Sequence, residues 1–312
     1  SKRMHTLDRL KHVLKEENWN SDAKSLMFLD LKLGNICNLK CRICGSWSSS
    51  QFASEEISWL PREEQKSSYA YEMLRAGAWP KENIQFWTQI DSVLTDIRYI
   101  EFTGGEPFMI DQHFDMLQGI VDRGIANQVE IHYNTNGTLF PDRGPDIWKH
   151  FKTAEIAFSI DDVGDQFEYQ RHPANWREVN ANLIKFKERK TGNMEFQICT
   201  TVSIFNVFSW AKIALWVAQF QPKFFYVNTC FDPDYFNVQT LPRQVKDVVN
   251  MRYHMLTDFQ PTLRFMNAAD RDTPEMREQR KARILQTDAY RKENFGAVFP
   301  LLNNVLGIYG QR

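Results

Sequence analysis

The chain has 312 residues, a formal net charge of −1, 43% hydrophobic residues and 25% charged residues. These are ordinary globular values, and the balanced charge excludes a general attraction to nucleic acid or anionic lipid. No apolar run approaches the ~18–20 residues of a membrane span, and no signal peptide is visible. Three of the five cysteines are clustered, unlike a secreted disulfide framework, so we expect a cytoplasmic protein.

Residue spacing divides the chain into three predicted regions. Residues 1–25 are predicted to form a helical lead-in, because their apolar residues fall at helical spacing. Residues 26–240 alternate between strand and helix patterns, and residues 241–312 become helical and arginine-rich. The arginine-rich run at 276–283 is typical of a solvated helix face.

Six segments with a period of two predict strands separated by helices, and therefore βαβ units with a parallel sheet. Their centres are Leu29–Leu33, Ile100–Phe102, Val129–Tyr133, Ile156–Ile160, Phe196–Thr200 and Phe225–Thr229. Parallel strands covered by helices on both faces are nearly continuous apolar runs, whereas these strands have one apolar and one polar side. The pattern favours a closed or partly closed α/β barrel whose polar side lines a wide lumen.

A group of three cysteines, Cys37, Cys41 and Cys44, follows the first predicted strand. A zinc site usually has four protein ligands, so three thiolates leave one position open. Cysteine thiolates also ligate iron–sulfur clusters, where an incomplete set leaves one iron free for another molecule. On these residues alone, an accidental group or half of a zinc knuckle remains an alternative.

This CxxxCxxC pattern after a strand resembles the signature of the radical S-adenosylmethionine superfamily. The resemblance implies a partial (β/α)6 TIM-like barrel, here followed by the helical C-terminal extension. It implies that Cys37, Cys41 and Cys44 bind a 4Fe–4S cluster, that S-adenosylmethionine chelates the open iron, and that Ile43 touches the adenine. Such enzymes cleave S-adenosylmethionine reductively to a 5′-deoxyadenosyl radical, which abstracts hydrogen from a substrate.

A glycine pair, Gly104 and Gly105, ends the second predicted strand and is followed by Glu106. Glycine allows the backbone to approach a ligand closely, although a plain turn is the alternative. The run resembles the GGE motif of the same superfamily, which implies that Thr103, Gly104, Gly105 and Glu106 form the site for the amino group of the methionine moiety. On this interpretation, Gly105→Val weakens S-adenosylmethionine binding and leaves the cluster in place.

Polar residues after the third and fourth strands resemble two further motifs of the superfamily. Asn134–Gly137 resembles its TNG turn, with a plain turn as the alternative, and we include Asn134 in the cofactor site. Ser159 and Asp161 resemble the SxD signature of peptide-modifying members, in which the serine bonds the ribose or carboxylate of the cofactor. Asp162 stands where those members commonly have glycine.

Four more candidate residues lie on or after the later strands. Arg171 stands where members of the superfamily place an arginine that pairs with the cofactor carboxylate, and a surface arginine is the alternative. Asn206 matches a polar position of the superfamily. Cys199 and Cys230 fall on the polar side of their strands and are predicted to face the lumen, although a lone strand cysteine is usually a small buried hydrophobe.

The resemblance is closest to the twitch- or SPASM-type members and covers residues 26–240. It implies a ribosomally synthesised peptide as substrate and an external electron donor of flavodoxin or ferredoxin type. A cysteine-containing module precedes the barrel in that subgroup, and no cysteine precedes Cys37 here. A separate cysteine-rich or peptide-recognition module is therefore a candidate partner. A small-metabolite or RNA substrate and a non-catalytic iron–sulfur scaffold remain alternatives, and neither membrane nor general nucleic-acid binding is expected.

Overall fold

The computed structural model describes residues 26–310, so the predicted lead-in at 1–25 lies outside the described residues. Six parallel strands form one sheet in the order β1-β2-β3-β4-β5-β6. The strands are β1 Phe28–Leu33, β2 Tyr99–Gly104, β3 Glu130–Thr135, β4 Thr153–Ser159, β5 Met194–Val202 and β6 Phe224–Thr229. The predicted α/β class and its six strands are confirmed.

Helices connect the strands and continue beyond the last of them. Those before β3 are α1 Ser50–Ser58, α2 Arg62–Gln65, α3 Tyr69–Ala76, α4 Trp79–Glu82, α5 Ile84–Ser92 and α6 Asp111–Asp122. Those between β3 and β6 are α7 Gly144–Trp148, α8 Asp165–Gln170, α9 Trp176–Arg189 and α10 Trp210–Phe220. The C-terminal extension consists of α11 Arg243–Tyr253, α12 Gln260–Asn267, α13 Pro274–Arg291, α14 Phe295–Val298 and α15 Pro300–Leu306. No helix within residues 26–310 is long and apolar enough to cross a membrane.

The sheet is open, with β1 and β6 at its two edges and no further strand of the described chain between them. Along β5, buried residues alternate with half-buried ones from Met194 to Val202. The buried side packs under the helices and the other side faces the lumen, as expected for a pleated strand. This arrangement is the predicted partial TIM-like barrel.

The main hydrophobic core lies between the outer face of the sheet and its helices. Phe102 of β2 stacks on Tyr133 of β3 with ring centroids 4.7 Å apart, and Tyr133 lies 5.4 Å from Trp148 of α7. All three residues are fully buried. Burying each large apolar side chain contributes roughly 1.5–3 kcal/mol, so this face fixes the sheet while the opposite face stays free for a site.

A second core joins the end of the barrel to the C-terminal extension. Phe205, which follows β5, packs against Phe236 and Phe295 with centroid distances of 4.6 and 6.2 Å. The pattern of the arginine-rich run in α13 predicted a solvated helix face. The run is in fact partly buried. Arg280 is 1% exposed and donates from Nη1 to the Thr240 carbonyl oxygen at 2.8 Å.

Candidate cofactor site

A cavity of about 340 Å³ lies at the carboxyl edge of the sheet. Its volume falls within the ~300–1,000 Å³ of small-molecule sites, which α/β barrels build at this edge. Most of the predicted site residues line it: Cys37, Ile43, Cys41, Cys44, Thr103, Gly104, Gly105, Asn134, Ser159 and Arg171. The structure therefore brings together residues from the cysteine loop and from the ends of β2, β3 and β4.

The cysteine loop is held by its own main chain and by the start of α1. The Cys44 amide donates to the Cys41 carbonyl oxygen at 3.0 Å, and the Cys37 amide donates to Ser50 Oγ at 3.2 Å. Burial, and next the neighbouring Cys41 thiol, raise the pKa of Cys37 and of Cys44 to about 12. Near neutral pH these sulfurs are thiols unless a bound cation stabilises the thiolate form.

The three thiols line one cavity and are soft donors of the kind that iron–sulfur clusters take. Within residues 26–310, no group of three or more histidine, cysteine or acidic side chains could hold one metal ion. In a 4Fe–4S cluster each cysteine binds a different iron, so its ligands are spread around the cluster and do not converge on one point. Three soft thiolates around one cavity fit that donor set, with one iron left for another ligand.

The two glycines at the end of β2 are required by the packing of the main chain. Gly104 has φ +130°, and a Cβ there would lie 2.9 Å from the carbonyl oxygen of Gly34. A Cβ on Gly105 would lie 2.2 Å from the carbonyl oxygen of Ile36, the residue before Cys37. A side chain at 105 would displace the cysteine loop, so we revise the expectation that Gly105→Val leaves the cluster in place.

Glu106 is buried and does not line the cavity, in contrast to the role predicted for it. Its carboxylate accepts hydrogen bonds from Thr135 Oγ1 at 2.8 Å, the Asn136 amide at 2.7 Å and the Phe108 amide at 3.2 Å. Burial raises the pKa of Glu106 to about 7 despite these donors. Glu106 therefore acts on the site indirectly, because it joins the end of β2 to the turn after β3.

Asp161 also lies behind the cavity wall. Its Oδ1 accepts from the Thr201 amide at 2.9 Å, and its Oδ2 accepts from Arg171 Nε, also at 2.9 Å. Burial lowers the pKa of the Arg171 guanidinium, but the Asp161 carboxylate together with the nearby Cys41 and Cys199 sulfurs raises it above its ordinary value. Asn206 donates to the carbonyl oxygens of Asp161 and Thr201, at 2.6 and 2.9 Å. The backbone of Asp162 does not take a positive φ, so this position has no need of glycine.

Seven residues that were not predicted as site residues also line the cavity, namely Leu39, Trp47, Ser48, Ser49, Thr135, Asn136 and Thr201. Asn136, in the turn whose first residue was predicted, lines the cavity and donates to Asn38 Oδ1 at 2.9 Å and to Cys37 Sγ at 3.8 Å. Thr201 lines the cavity as well. The sequence could have indicated Thr201, because this residue shares the polar side of β5 with Cys199.

The two remaining cysteines have different surroundings. Cys199 is the register partner of Ser159, which lines the cavity, so the Cys199 side chain faces the lumen as predicted. Cys230 is 2% exposed and belongs to the second core, with its Sγ 3.5 Å from the Asp232 carbonyl oxygen. Cys230 does not line the cavity, and its burial in the second core differs from the lumen-facing position predicted for it.

No protein-family model matches the chain, and no curated protein sequence matches it significantly. Among solved structures it resembles "Native anSMEcpe with bound AdoMet", where AdoMet is S-adenosylmethionine. The TM-score is 0.50 at 20% identity, covering 76% of this chain and 62% of that one. The same protein with AdoMet and the Cp18Cys peptide gives a TM-score of 0.47 at 17% identity, covering 77% and 62%. Streptococcus suis SuiB bound to its precursor peptide SuiA gives 0.43 at 13%, covering 81% and 58%.

The fold and the cavity define an open α/β barrel with a cofactor-sized site at the carboxyl edge of its strands. The first of these comparisons shows that a protein solved with bound AdoMet shares this fold. The chain spans about three fifths of the length of the solved protein, since it covers 62% of that chain.

Proposed function

We propose that the protein is a radical S-adenosylmethionine enzyme that binds a 4Fe–4S cluster through Cys37, Cys41 and Cys44. One observation carries the proposal. The three thiols share a single cavity with Ser159 and Arg171 at the carboxyl edge of the sheet. A cluster with one free iron needs both kinds of group, thiolates for the metal and polar side chains for the second cofactor.

The lining residues have distinct roles in this proposal. Arg171 binds the carboxylate of S-adenosylmethionine, because a guanidinium held by Asp161 presents its remaining N–H groups in a fixed plane. Ser159 bonds the ribose or the carboxylate, and Ile43 contacts the adenine. The site for the methionine amino group is formed by the end of β2 with Thr103, Gly104 and Gly105, and by Asn134 of β3. All seven of these residues line the cavity.

The two cofactors, when bound, supply one-electron cleavage of S-adenosylmethionine and a 5′-deoxyadenosyl radical that abstracts hydrogen from a substrate carbon. The chain itself needs no nucleophile or general base for this step. Its residues bind and orient the cofactors, and the buried surroundings of Cys37 and Arg171 keep water from that part of the cavity. A flavodoxin- or ferredoxin-type donor for the electron belongs to the same proposal.

A peptide is the substrate class that we propose, as the resemblance of Ser159 and Asp161 to the SxD signature implies. The open side of the sheet supports it. Phe224, Tyr226 and Phe231 on and after β6 are 55%, 56% and 63% exposed. Neighbouring exposed aromatic side chains of this kind mark a surface that contacts another molecule, and a single small metabolite would not cover them.

Anaerobic reconstitution tests the enzyme assignment. Wild-type protein should bind about four iron and four sulfide per chain and, with a reductant, convert S-adenosylmethionine to 5′-deoxyadenosine. Alanine at Cys37, Cys41 or Cys44 should abolish the absorption near 400 nm, while Cys230→Ala should retain it. A cluster without any 5′-deoxyadenosine would indicate a scaffold, and a full cluster in the three loop variants would refute the ligand assignment.

Deuterium transfer tests the substrate class. Candidate short peptides labelled with deuterium at carbon, starting with any encoded beside this protein, are incubated with the reconstituted enzyme. Deuterium should appear in 5′-deoxyadenosine, and the peptide mass should change. Tyr226→Ala should weaken this coupling while cofactor cleavage without peptide stays unchanged. Transfer from labelled small metabolites alone would exclude the peptide proposal.

A further inference from the structure

A buried arginine, Arg42, lies inside the cysteine loop between Cys41 and Ile43, and its side chain is 2% exposed. Its Nη2 lies 2.5 Å from Asp288 Oδ1 and 2.5 Å from Glu293 Oε2. Both carboxylates belong to the C-terminal extension, more than 240 residues along the chain, at sequence separations of 246 and 251. The Arg42 side chain, which lies between the second and third cysteines of the loop, is therefore bound by groups outside the barrel.

Asp288, the main anchor, has little freedom to move. It is 1% exposed, and its carboxylate also accepts from Tyr169 Oη at 2.9 Å, Tyr309 Oη at 2.8 Å and the Phe295 amide at 2.7 Å. A carboxylate with donors on both oxygens holds a charged partner in one place. The Arg42 guanidinium also lies 3.5 Å from the centroid of the Tyr169 ring and donates from Nε to the Tyr169 carbonyl oxygen at 3.1 Å.

The same network reaches the segment that carries Arg171. The Arg42 amide donates to the Gln170 carbonyl oxygen at 2.8 Å, and the Lys40 amide donates to the His172 carbonyl oxygen at 2.8 Å. The His172 ring nitrogen Nδ1 lies 2.7 Å from Glu293 Oε1. One set of charges thus joins residues 40–42, residues 170–172 and the extension.

A buried ion pair of this kind is poor evidence for stability, because desolvation of the charges offsets most of their attraction. Its geometric effect is specific, since a guanidinium with several fixed acceptors fits only one arrangement. We propose that Arg42 is a positioning residue, through which the C-terminal extension holds the cysteine loop and the Arg171 segment in register with each other. The extension then helps to shape the cofactor site. That the cysteine loop binds a cluster rests on the proposed function.

The positioning is tested first in cluster-free protein by hydrogen–deuterium exchange. Arg42→Met should speed exchange about tenfold at the amides of 40–44 and 170–172, the change expected from losing a hydrogen bond to a charged group. Arg280→Met is the matched control, because Arg280 is another buried arginine, contacts Thr240 and Asp272, and lies in the same extension. It should speed exchange around those contacts and leave 40–44 unchanged. This exchange measurement tests the positioning role of Arg42 whether or not the chain binds a cluster.

The second measurement is the loss of iron from reconstituted protein to a chelator, together with the electron paramagnetic resonance spectrum of the reduced cluster. Arg42→Met should release iron about tenfold faster than wild type and lose the spectral change caused by S-adenosylmethionine. Arg42→Lys should restore part of both, and Arg280→Met should behave as wild type. Equal behaviour of the Met variants in both measurements would overturn the inference. If Arg42→Met does not fold, Glu293→Gln and Arg42→Lys carry the same comparison.

Discussion

Asp161 holds Arg171 through one carboxylate oxygen: Oδ2 lies 2.9 Å from Nε and 2.8 Å from Nη2 of the guanidinium. Arg171 lines the cavity and Asp161 does not. The aspartate therefore fixes the direction in which the arginine presents its remaining donors. Asp161 and Arg171, ten positions apart, act as one binding element. The Asp161 carboxylate lies behind the cavity wall, and the Arg171 cation lines the cavity.

Asp161→Asn should weaken S-adenosylmethionine binding about tenfold, because the amide gives up a charge-assisted hydrogen bond to the arginine. The cluster should remain, since Asp161 has no contact with the cysteine loop among the hydrogen bonds of the described chain. Anaerobic calorimetric titration measures the affinity. Asp115→Asn, which breaks an exposed pair with Arg143, is the control. Equal affinity in the Asp161 variant and wild type would remove Arg171 orientation from the proposed site.

Gly105→Val should lose the cluster and S-adenosylmethionine binding together. The new side chain meets the Ile36 carbonyl oxygen, and forcing extra atoms into a packed region costs about 1–3 kcal/mol. Iron content and thermal unfolding measure the two effects. Gly192→Ala is the control, because a Cβ there meets no atom within 4 Å. A variant at 105 with a full iron content and weaker cofactor binding would contradict this packing argument.

Glu106 should make the cluster-free protein lose stability as the pH rises. Burial raises its folded-state pKa from 4.5 to about 7, so the folded protein holds a proton that the unfolded chain has released. The stabilisation is complete below pH 4.5 and disappears as the pH rises through about 7, a change of up to about 3 kcal/mol. Denaturant unfolding at several pH values measures it. Glu106→Gln should flatten this part of the profile, and an identical profile in both proteins would refute the assignment.

A thiol reagent should label Cys199 faster than Cys230 when the three loop cysteines are replaced by alanine. Burial and the neighbouring Asp161 carboxylate raise the pKa of Cys199 to about 11, and burial raises that of Cys230 to about 12. Both thiols are therefore slow, and access decides their order. Mass spectrometry of labelled peptides measures the rates. A bound substrate should protect Cys199 alone, and faster labelling of Cys230 would contradict its placement in the second core.

Local periodicity was enough to predict the architecture. A period of two identified all six strands, and their one-sided polarity indicated a lumen, because side-chain alternation is a property of the strand itself. The site residues were predicted from the resemblance of the cysteine spacing and of the polar residues after the strands to the motifs of the superfamily, and the topology explains why they meet. The carboxyl ends of parallel strands meet at one edge, so residues distant in sequence, such as Cys44 and Arg171, line one cavity.

Tertiary contacts explain what the sequence did not reveal. Glycine is needed at 105 because the Ile36 carbonyl oxygen lies too close to admit a Cβ. Glu106 can be buried because donors near residue 135 bind its carboxylate. No periodicity records either contact. Arg42 is the extreme case, since its partner Asp288 lies 246 residues away. The burial of Cys230 in the second core depends on residues distant in sequence, which strand alternation does not record.

The gap between β1 and β6 leaves the barrel wall incomplete, and the C-terminal extension contacts the elements that follow both of these edges. Arg291 and Arg283 of α13 bind Glu55 and Glu56 of α1, which follows β1, at 2.8 and 3.0 Å. Ile284 of the same helix belongs to the second core together with Phe236, which follows β6. The spacing of the two free edges therefore depends on a helix that contributes no strand to the sheet.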